Sequence, residues 1–343
     1  MIQQTQVIMS APALHFILFA VFASLFFSAR CSNQSRKDVA LLILGDSLND
    51  AGTNTYLNTT AGYRADIPPY GETFFLLELD ITHHFHHPTG RFFDGRLIVD
   101  FIAEYAKLPL IPPYLKIKDD EFMGGANFAS GGAVALVEDL KMQLKQLEQL
   151  EKKLRKEMGS EKSISMDDYV GMAIGNITSV LQGIYKVGGR KFAMIGIGPI
   201  GCVPGMRALT RNGACLGEAT TLAKLHNIAL TSVLTKLETQ LHGFEYSYFD
   251  FYTSGSERIQ YPSKYGFKDA EIACCGLGPY RANLSCGGQR GAKEYSLCHR
   301  PKKYVFFDAY HPTGRANRQF AQLMWNGSLS IIRPRNLKAL FKN

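Results

Sequence analysis

Two segments far apart in the chain carry side chains suited to nucleophilic attack on a carbonyl. Ser47 stands in Gly45-Asp46-Ser47-Leu48, directly after the apolar run Val39 to Leu44, where a turn opened by Gly45 would project its hydroxyl from the end of a strand. A serine hydroxyl attacks efficiently only when a base takes its proton and donors hold the developing oxyanion. Near the other end, in Asp308-Ala309-Tyr310-His311, a carboxylate precedes an imidazole by three residues. At that spacing the acid can hold the ring in its proton-accepting tautomer. Both segments also have a purely structural reading. A serine after a Gly-Asp turn often caps a helix, and Asp308 with His311 can simply brace a turn.

The elements that must position these residues alternate. Val39 to Leu44 and Lys191 to Ile197 are continuous apolar runs ending in loop residues, the pattern of parallel strands buried on both faces. Tyr246 to Phe251 and Tyr304 to Phe307 are shorter candidates for strand or strand-like segments. Leu140, Leu144, Leu147, Leu150 and Leu154 recur at helical spacing, as do the apolar residues from Leu222 to Leu241. Alternating strands and helices predict an α/β fold around a mostly parallel sheet, with the site beyond the carboxyl ends of the strands.

The 343 residues fit one domain with a large core. Met1 to Cys31 has no acidic residue and carries an apolar run from Ala11 to Phe27, followed by Ser28 and Ala29. That length suits the core of an export signal and is short for a membrane span, so residues 1–31 are expected to be a signal peptide and the product secreted; an uncleaved anchor is the alternative. The expected domain covers residues 32–330, and the basic tail 331–343 reads as a solvated end. Cleavage leaves six cysteines, Cys202, Cys215, Cys274, Cys275, Cys286 and Cys298, an even number suited to disulfides. Cys202 and Cys215 flank a short polar loop and are expected to pair, while spacing leaves the other four open. Irregular spacing and the solitary His299 argue against zinc. Sequons begin at Asn58, Asn176, Asn283 and Asn326. The net charge of +8 favours anionic surroundings such as a lipid or cell-wall surface, but its dispersion gives no sign of nucleic-acid binding.

Taken together, Gly45 to Leu48, the stretch Gly125-Ala126-Asn127-Phe128-Ala129-Ser130-Gly131-Gly132, and Asp308 to His311 resemble, in type and order, the motifs of the GDSL esterase/lipase family within the SGNH hydrolase group, most closely its plant secreted members. Pro88 to Phe92, Gly198 to Cys202 and Cys274 to Gly276 extend the resemblance over most of the chain. It implies a flavodoxin-like three-layer sandwich. It also implies hydrolysis of carboxylic esters, of lipid or other acyl type, with Ser47 as nucleophile, His311 as general base and Asp308 as its orienting carboxylate. The backbone N–H groups of Ser47 and Gly132 would form the oxyanion hole, with no metal or organic cofactor.

The chain departs from that pattern in its middle. The family's third block, an apolar strand ending in Gly-x-Asn-Asp, is missing. Its nearest match, Met172 to Asn176, lies within a helical periodicity running from Tyr169 to Tyr185, so Asn176 is expected on a helix. One central strand and one oxyanion donor would then be absent. This predicts weakened turnover, or in the alternative an inactive extracellular protein that binds ester or glycan ligands. Residues 76–87 read as an insertion whose His83, His84, His86 and His87 are expected to be incidental rather than a metal site.

Overall fold

The apolar run before Ser47 forms β1 (Leu41–Ile43), which pairs in parallel with β2 (Gly125–Asn127) in the register Leu41 to Gly125 and Ile43 to Asn127. The computed structural model describes residues 40–74, 88–117, 124–132, 165–283, 285–288 and 293–342. The expected signal peptide, the Leu140 to Leu154 helix and the histidine-bearing insertion lie outside the described residues. A second sheet joins β3 (Lys191–Ile195) in parallel to β4 (Glu245–Phe249), with β5 (Ile332–Arg333) antiparallel on the far side of β4. Among the described residues no strand links the two sheets, so β1 and β3 each have one neighbour.

The helices are α1 (Ile98–Tyr105), α2 (Met166–Lys186), α3 (Gly217–Gln240), α4 (Phe251–Gln260), α5 (Gly314–Asn326) and α6 (Leu337–Lys342). β4 is the strand that best fulfils the two-faced expectation. Its Tyr246 and Tyr248 pack with Val170, Ile174 and Leu181 of α2 and Leu230, Leu234 and Leu237 of α3. Its Phe249 instead joins Ile98 and Phe101 of α1, Phe320 of α5 and Leu337 of α6. Alternation along one strand therefore feeds two helical layers, which makes the chain α/β.

Helix ends follow local chemistry. The Ser165 hydroxyl accepts the Asp168 N–H at 3.1 Å, and Asp167 and Asp168 sit in the first turn of α2, where the helix dipole favours negative charge. Met172 to Asn176 is therefore helical, as its periodicity indicates. Thr313 caps α5 by accepting the Ala316 N–H, and its hydroxyl donates to the Tyr304 carbonyl at 2.9 Å.

Several expectations need correction. β1 is not buried on both faces: Ile43 is covered by Ala103, Ile111 and Ala129, while Leu42 and Leu44 are 58% and 51% exposed. No described element covers that face. β3 likewise buries only Phe192. The fourth strand candidate, Tyr304 to Phe307, makes isolated bridges to Asp269 and Pro312 rather than a ladder, because it folds back on itself and Pro312 has no N–H to extend pairing. β4 stops at Phe249 because Asp250 accepts the Thr253 N–H and starts α4. The tail is not a solvated end. Ile332, Leu337 and Leu340 are buried between its basic residues, and Arg335 pairs with Glu238 and Glu245 at 3.1 and 2.8 Å.

Cys202 pairs with Cys215 as expected, and the connectivity that spacing left open is Cys274 to Cys298 and Cys275 to Cys286. The latter two bridges underlie the segment that leads to Asp308, since the Cys274 and Cys275 N–H groups donate to the Phe306 and Phe307 carbonyls.

Thr313→Ala removes the α5 cap and leaves the Tyr304 carbonyl without that donor. The variant is expected to lose about 1–2 kcal/mol of stability. Calorimetry should show a melting midpoint lower by roughly 2–6 °C; an unchanged midpoint contradicts this account of the helix start.

Candidate active site

Ser47 sits in the turn after β1, and the loop after β2 fixes the shape of that turn. The Phe128 and Ser130 N–H groups donate to the Ile43 and Gly45 carbonyls at 2.8 and 3.1 Å, so pairing continues past the end of the strand. Gly45 has φ +148°, and a Cβ there would lie 2.6 Å from the Asn49 amide nitrogen, so only glycine fits. Asp46 accepts the Leu48 N–H at 2.9 Å, closing a side-chain turn around Ser47. Burial pushes the Asp46 carboxyl above its usual range, partly offset by the Leu48 N–H and by the nearby His311.

Three buried polar side chains lock the two loops together. Asp50 accepts from the Gly52 and Thr53 N–H groups of its own loop and from the Gly131 N–H of the other at 2.8 Å. Desolvation raises its pKa despite these donors. Asn54 donates to the Gly131 carbonyl at 2.7 Å and accepts the Ser130 hydroxyl at 2.6 Å. Asn127 donates to the Asn49 carbonyl at 2.8 Å. Gly132 has φ +86°, and a Cβ there would lie 2.6 Å from the Tyr63 ring, so this position also requires glycine.

The other half of the site comes from the C-terminal segment. His311 Nε2 lies 2.8 Å from Ser47 Oγ, and His311 Nδ1 lies 2.7 and 2.9 Å from the two oxygens of Asp308. Asp308 Oδ1 also accepts the Tyr310 and His311 backbone N–H groups at 3.0 and 2.9 Å. Three residues named from sequence are thus brought into one array, across a separation of 264 positions between Ser47 and His311. Asp308 does brace its own turn through the Tyr310 and His311 N–H groups, and it meets the His311 ring as well, while Ser47 Oγ meets the imidazole on the other side. An array of this kind can move a proton from the serine hydroxyl to the ring.

Other contributors escaped the sequence reading. Phe92 and Phe93 flank the His311 ring at centroid distances of 5.3 and 5.4 Å. The residue before them, Arg91, makes a buried two-point contact with Asp100 of α1 at 2.8 and 2.9 Å. Tyr70 donates its hydroxyl to Asp308 Oδ2 at 2.9 Å. No spacing in the chain signals these contacts, since each joins distant segments. Asn176 lies in mid-helix on an exposed position of α2, and the buried Asn54 and Asn127 donate to backbone carbonyls of the two loops. Among the described residues no cluster of three or more metal-binding side chains occurs, and no helix is long and apolar enough to cross a membrane.

An α/β chain with this Ser–His–Asp geometry has the parts of a serine hydrolase. The profile described as GDSL-like Lipase/Acylhydrolase matches residues 41–175 and 160–324. GDSL esterase/lipase 5 of Arabidopsis thaliana is 42% identical with 95% of each chain covered, and a GDSL lipase of Tanacetum cinerariifolium is 42% identical with 90% and 89% covered. A more distant relative, Inactive GDSL esterase/lipase-like protein 25 of Arabidopsis thaliana, is 32% identical with 88% of this chain and 74% of its own covered. The chain belongs to the GDSL esterase/lipase family and is a carboxylic ester hydrolase. The first of these alignments spans 376 residues against a chain of 343, so that relative has residues without a counterpart here. The two profile matches overlap at residues 160–175.

Beside the site, burial and then the Asp94 carboxylate push Glu72 up to about 7 from its ordinary 4.5. The folded chain therefore holds this proton to higher pH than the unfolded chain. The associated stability is fully present below about pH 4.5 and is lost as pH rises through about 7. Glu72→Gln should melt higher than the parent at pH 8, with the gap shrinking toward pH 5. Melting curves at the two pH values check this, and a pH-independent difference counts against it.

Proposed function

We propose that the protein is a secreted serine esterase that works through an acyl-enzyme at Ser47. The observation that carries this reading is the 2.8 Å contact between Ser47 Oγ and His311 Nε2, with Asp308 on the opposite ring nitrogen. His311 takes the serine proton as Ser47 Oγ attacks the ester carbonyl. The protonated ring then gives that proton to the departing alcohol, leaving the acyl group on Ser47. Water activated by His311 releases the acid and restores the serine. Asp308 keeps Nδ1 protonated and stabilises the imidazolium as it forms. The backbone N–H groups of Ser47 and Gly132 hold the oxyanion, and the left-handed backbone at Gly132 supports that role because it aims the peptide in a direction few other residues allow. No metal or organic cofactor enters this chemistry.

The accompanying fold is a flavodoxin-like three-layer sandwich without one central strand. Two parallel pairs with no linking strand among the described residues, and the uncovered Leu42 and Leu44, support it. The position of Asn176 within α2 then implies that the third oxyanion donor is missing. Turnover is expected to be about a hundred- to a thousandfold below that of relatives with the third block. Substrates are carboxylic esters of lipid or other acyl type, met at a membrane or cell-wall surface that the charge of +8 would favour.

Purified protein should release acid from a short activated ester and label with a fluorophosphonate, and Ser47→Ala should abolish both. The missing Asn donor favours a second reading, an inactive extracellular protein that binds ester or glycan ligands. A folded protein that takes no fluorophosphonate supports that reading and excludes the first.

Export is supported by the apolar leader within residues 1–31, by three disulfides, and by sequon asparagines Asn58, Asn176, Asn283 and Asn326 that are all exposed. In eukaryotic cells the product should reach the medium with an N-terminus near Ser32 and lose mass on N-glycosidase treatment. Retention inside the cell without glycan overturns this part.

A further inference from the structure

We propose that Tyr70 is a positioning residue for the catalytic array, holding Asp308 in place through its phenol hydroxyl. The inference rests on the esterase reading and deepens it. Asp308 is 1% exposed, and a carboxylate buried that far is costly unless donors surround it. Its Oδ1 is served by its own turn, through the Tyr310 and His311 backbone N–H groups and the His311 ring. Its Oδ2 faces the same ring nitrogen at 2.9 Å, but one ring proton cannot serve both oxygens fully. Tyr70 supplies a separate O–H at 2.9 Å, from 238 positions away in sequence.

The tyrosine is itself held rigidly. It is 1% exposed, its N–H donates to the Ile67 carbonyl at 3.1 Å, and the next N–H, of Gly71, donates to the Phe93 carbonyl at 2.8 Å. Its ring meets Phe307, the residue before Asp308, edge-on at 5.5 Å, and meets Phe92 edge-on at 6.2 Å. Phe92 in turn lies against the His311 ring. One side chain therefore touches the segment carrying the acid and the aromatic wall of the base. The consequence is kinetic. When the ring becomes an imidazolium, the carboxylate must already be oriented toward Nδ1–H, and a donor fixed by distant backbone removes its freedom to rotate. An effect that acts through the Asp308 carboxylate, which the Tyr70 hydroxyl engages, belongs in kcat and not in KM.

The test compares the full-length protein with Tyr70→Phe, which keeps the ring and deletes only the donor. Active sites are counted by fluorophosphonate titration, so kcat is expressed per competent serine and any misfolded fraction drops out. The expected result is a kcat lower by roughly ten- to a hundredfold with KM unchanged, the scale of a hydrogen bond to a charged group. Equal kcat per titrated site in the two proteins overturns the inference, as does a loss confined to KM. Ser47→Ala separates the two levels. If it abolishes turnover while Tyr70→Phe is silent, only this inference fails. If parent protein neither turns over nor labels, or if Ser47→Ala remains active, the esterase reading fails and takes this inference with it.

Discussion

A carboxylate buried as deeply as that of Asp308 is tolerable only where the surrounding chain supplies donors, and here they arrive from two directions. Its own turn gives backbone N–H groups, and the distant Tyr70 gives a hydroxyl. Meeting this demand orders the neighbourhood. The Phe307 N–H donates to the His311 carbonyl, the Thr313 N–H to that of Val305, and the Cys274 and Cys275 N–H groups to those of Phe306 and Phe307. Two disulfides then tie the segment bearing those cysteines to Cys286 and Cys298. The loop carrying Asp308 and His311 is thus irregular in backbone form yet densely bonded, which fixes the geometry of the two side chains.

The serine side is held by a different device. Asp50, Asn54 and Asn127 are almost fully buried; the first two join the loop after β1 to the loop after β2, and Asn127 joins it to the end of β2 itself. Their polar groups are satisfied mainly by backbone, so the loops are locked relative to one another without a covalent link. Burial raises the Asp50 pKa, which identifies part of the cost of such a lock. The result leaves Ser47 near the rim and its supports in the interior.

Among the described residues, the open edge of β1 lies close to these loops. β1 ends just before Ser47 and has a neighbour on one side among the described residues, whereas β4 is covered on both faces. The array nevertheless stands at hydrogen-bonding distances, because its members depend on the β1–β2 loops and the C-terminal segment rather than on β3. Two sheets that no strand joins among the described residues and an assembled Ser–His–Asp array are compatible for that reason.

Sequence alone carried the chemistry whose signal is local. The Gly45 turn, the three-residue step from Asp308 to His311, the helical period through Asn176 and the pairing of Cys202 with Cys215 all depend on residues near one another in the chain. It left Tyr304 to Phe307 between strand and strand-like and misread the tail, where apolar content is clear but its partners are remote, so propensity could not distinguish a ladder from isolated bridges or a solvated end from a packed one. Tertiary structure alone decided that Tyr70 reaches Asp308, that Phe92 and Phe93 flank His311, and that Cys274 takes Cys298 rather than a nearer partner. Those contacts join segments whose order in the chain carries no record of their distance in space; folding sets that distance through the burial of side chains from both.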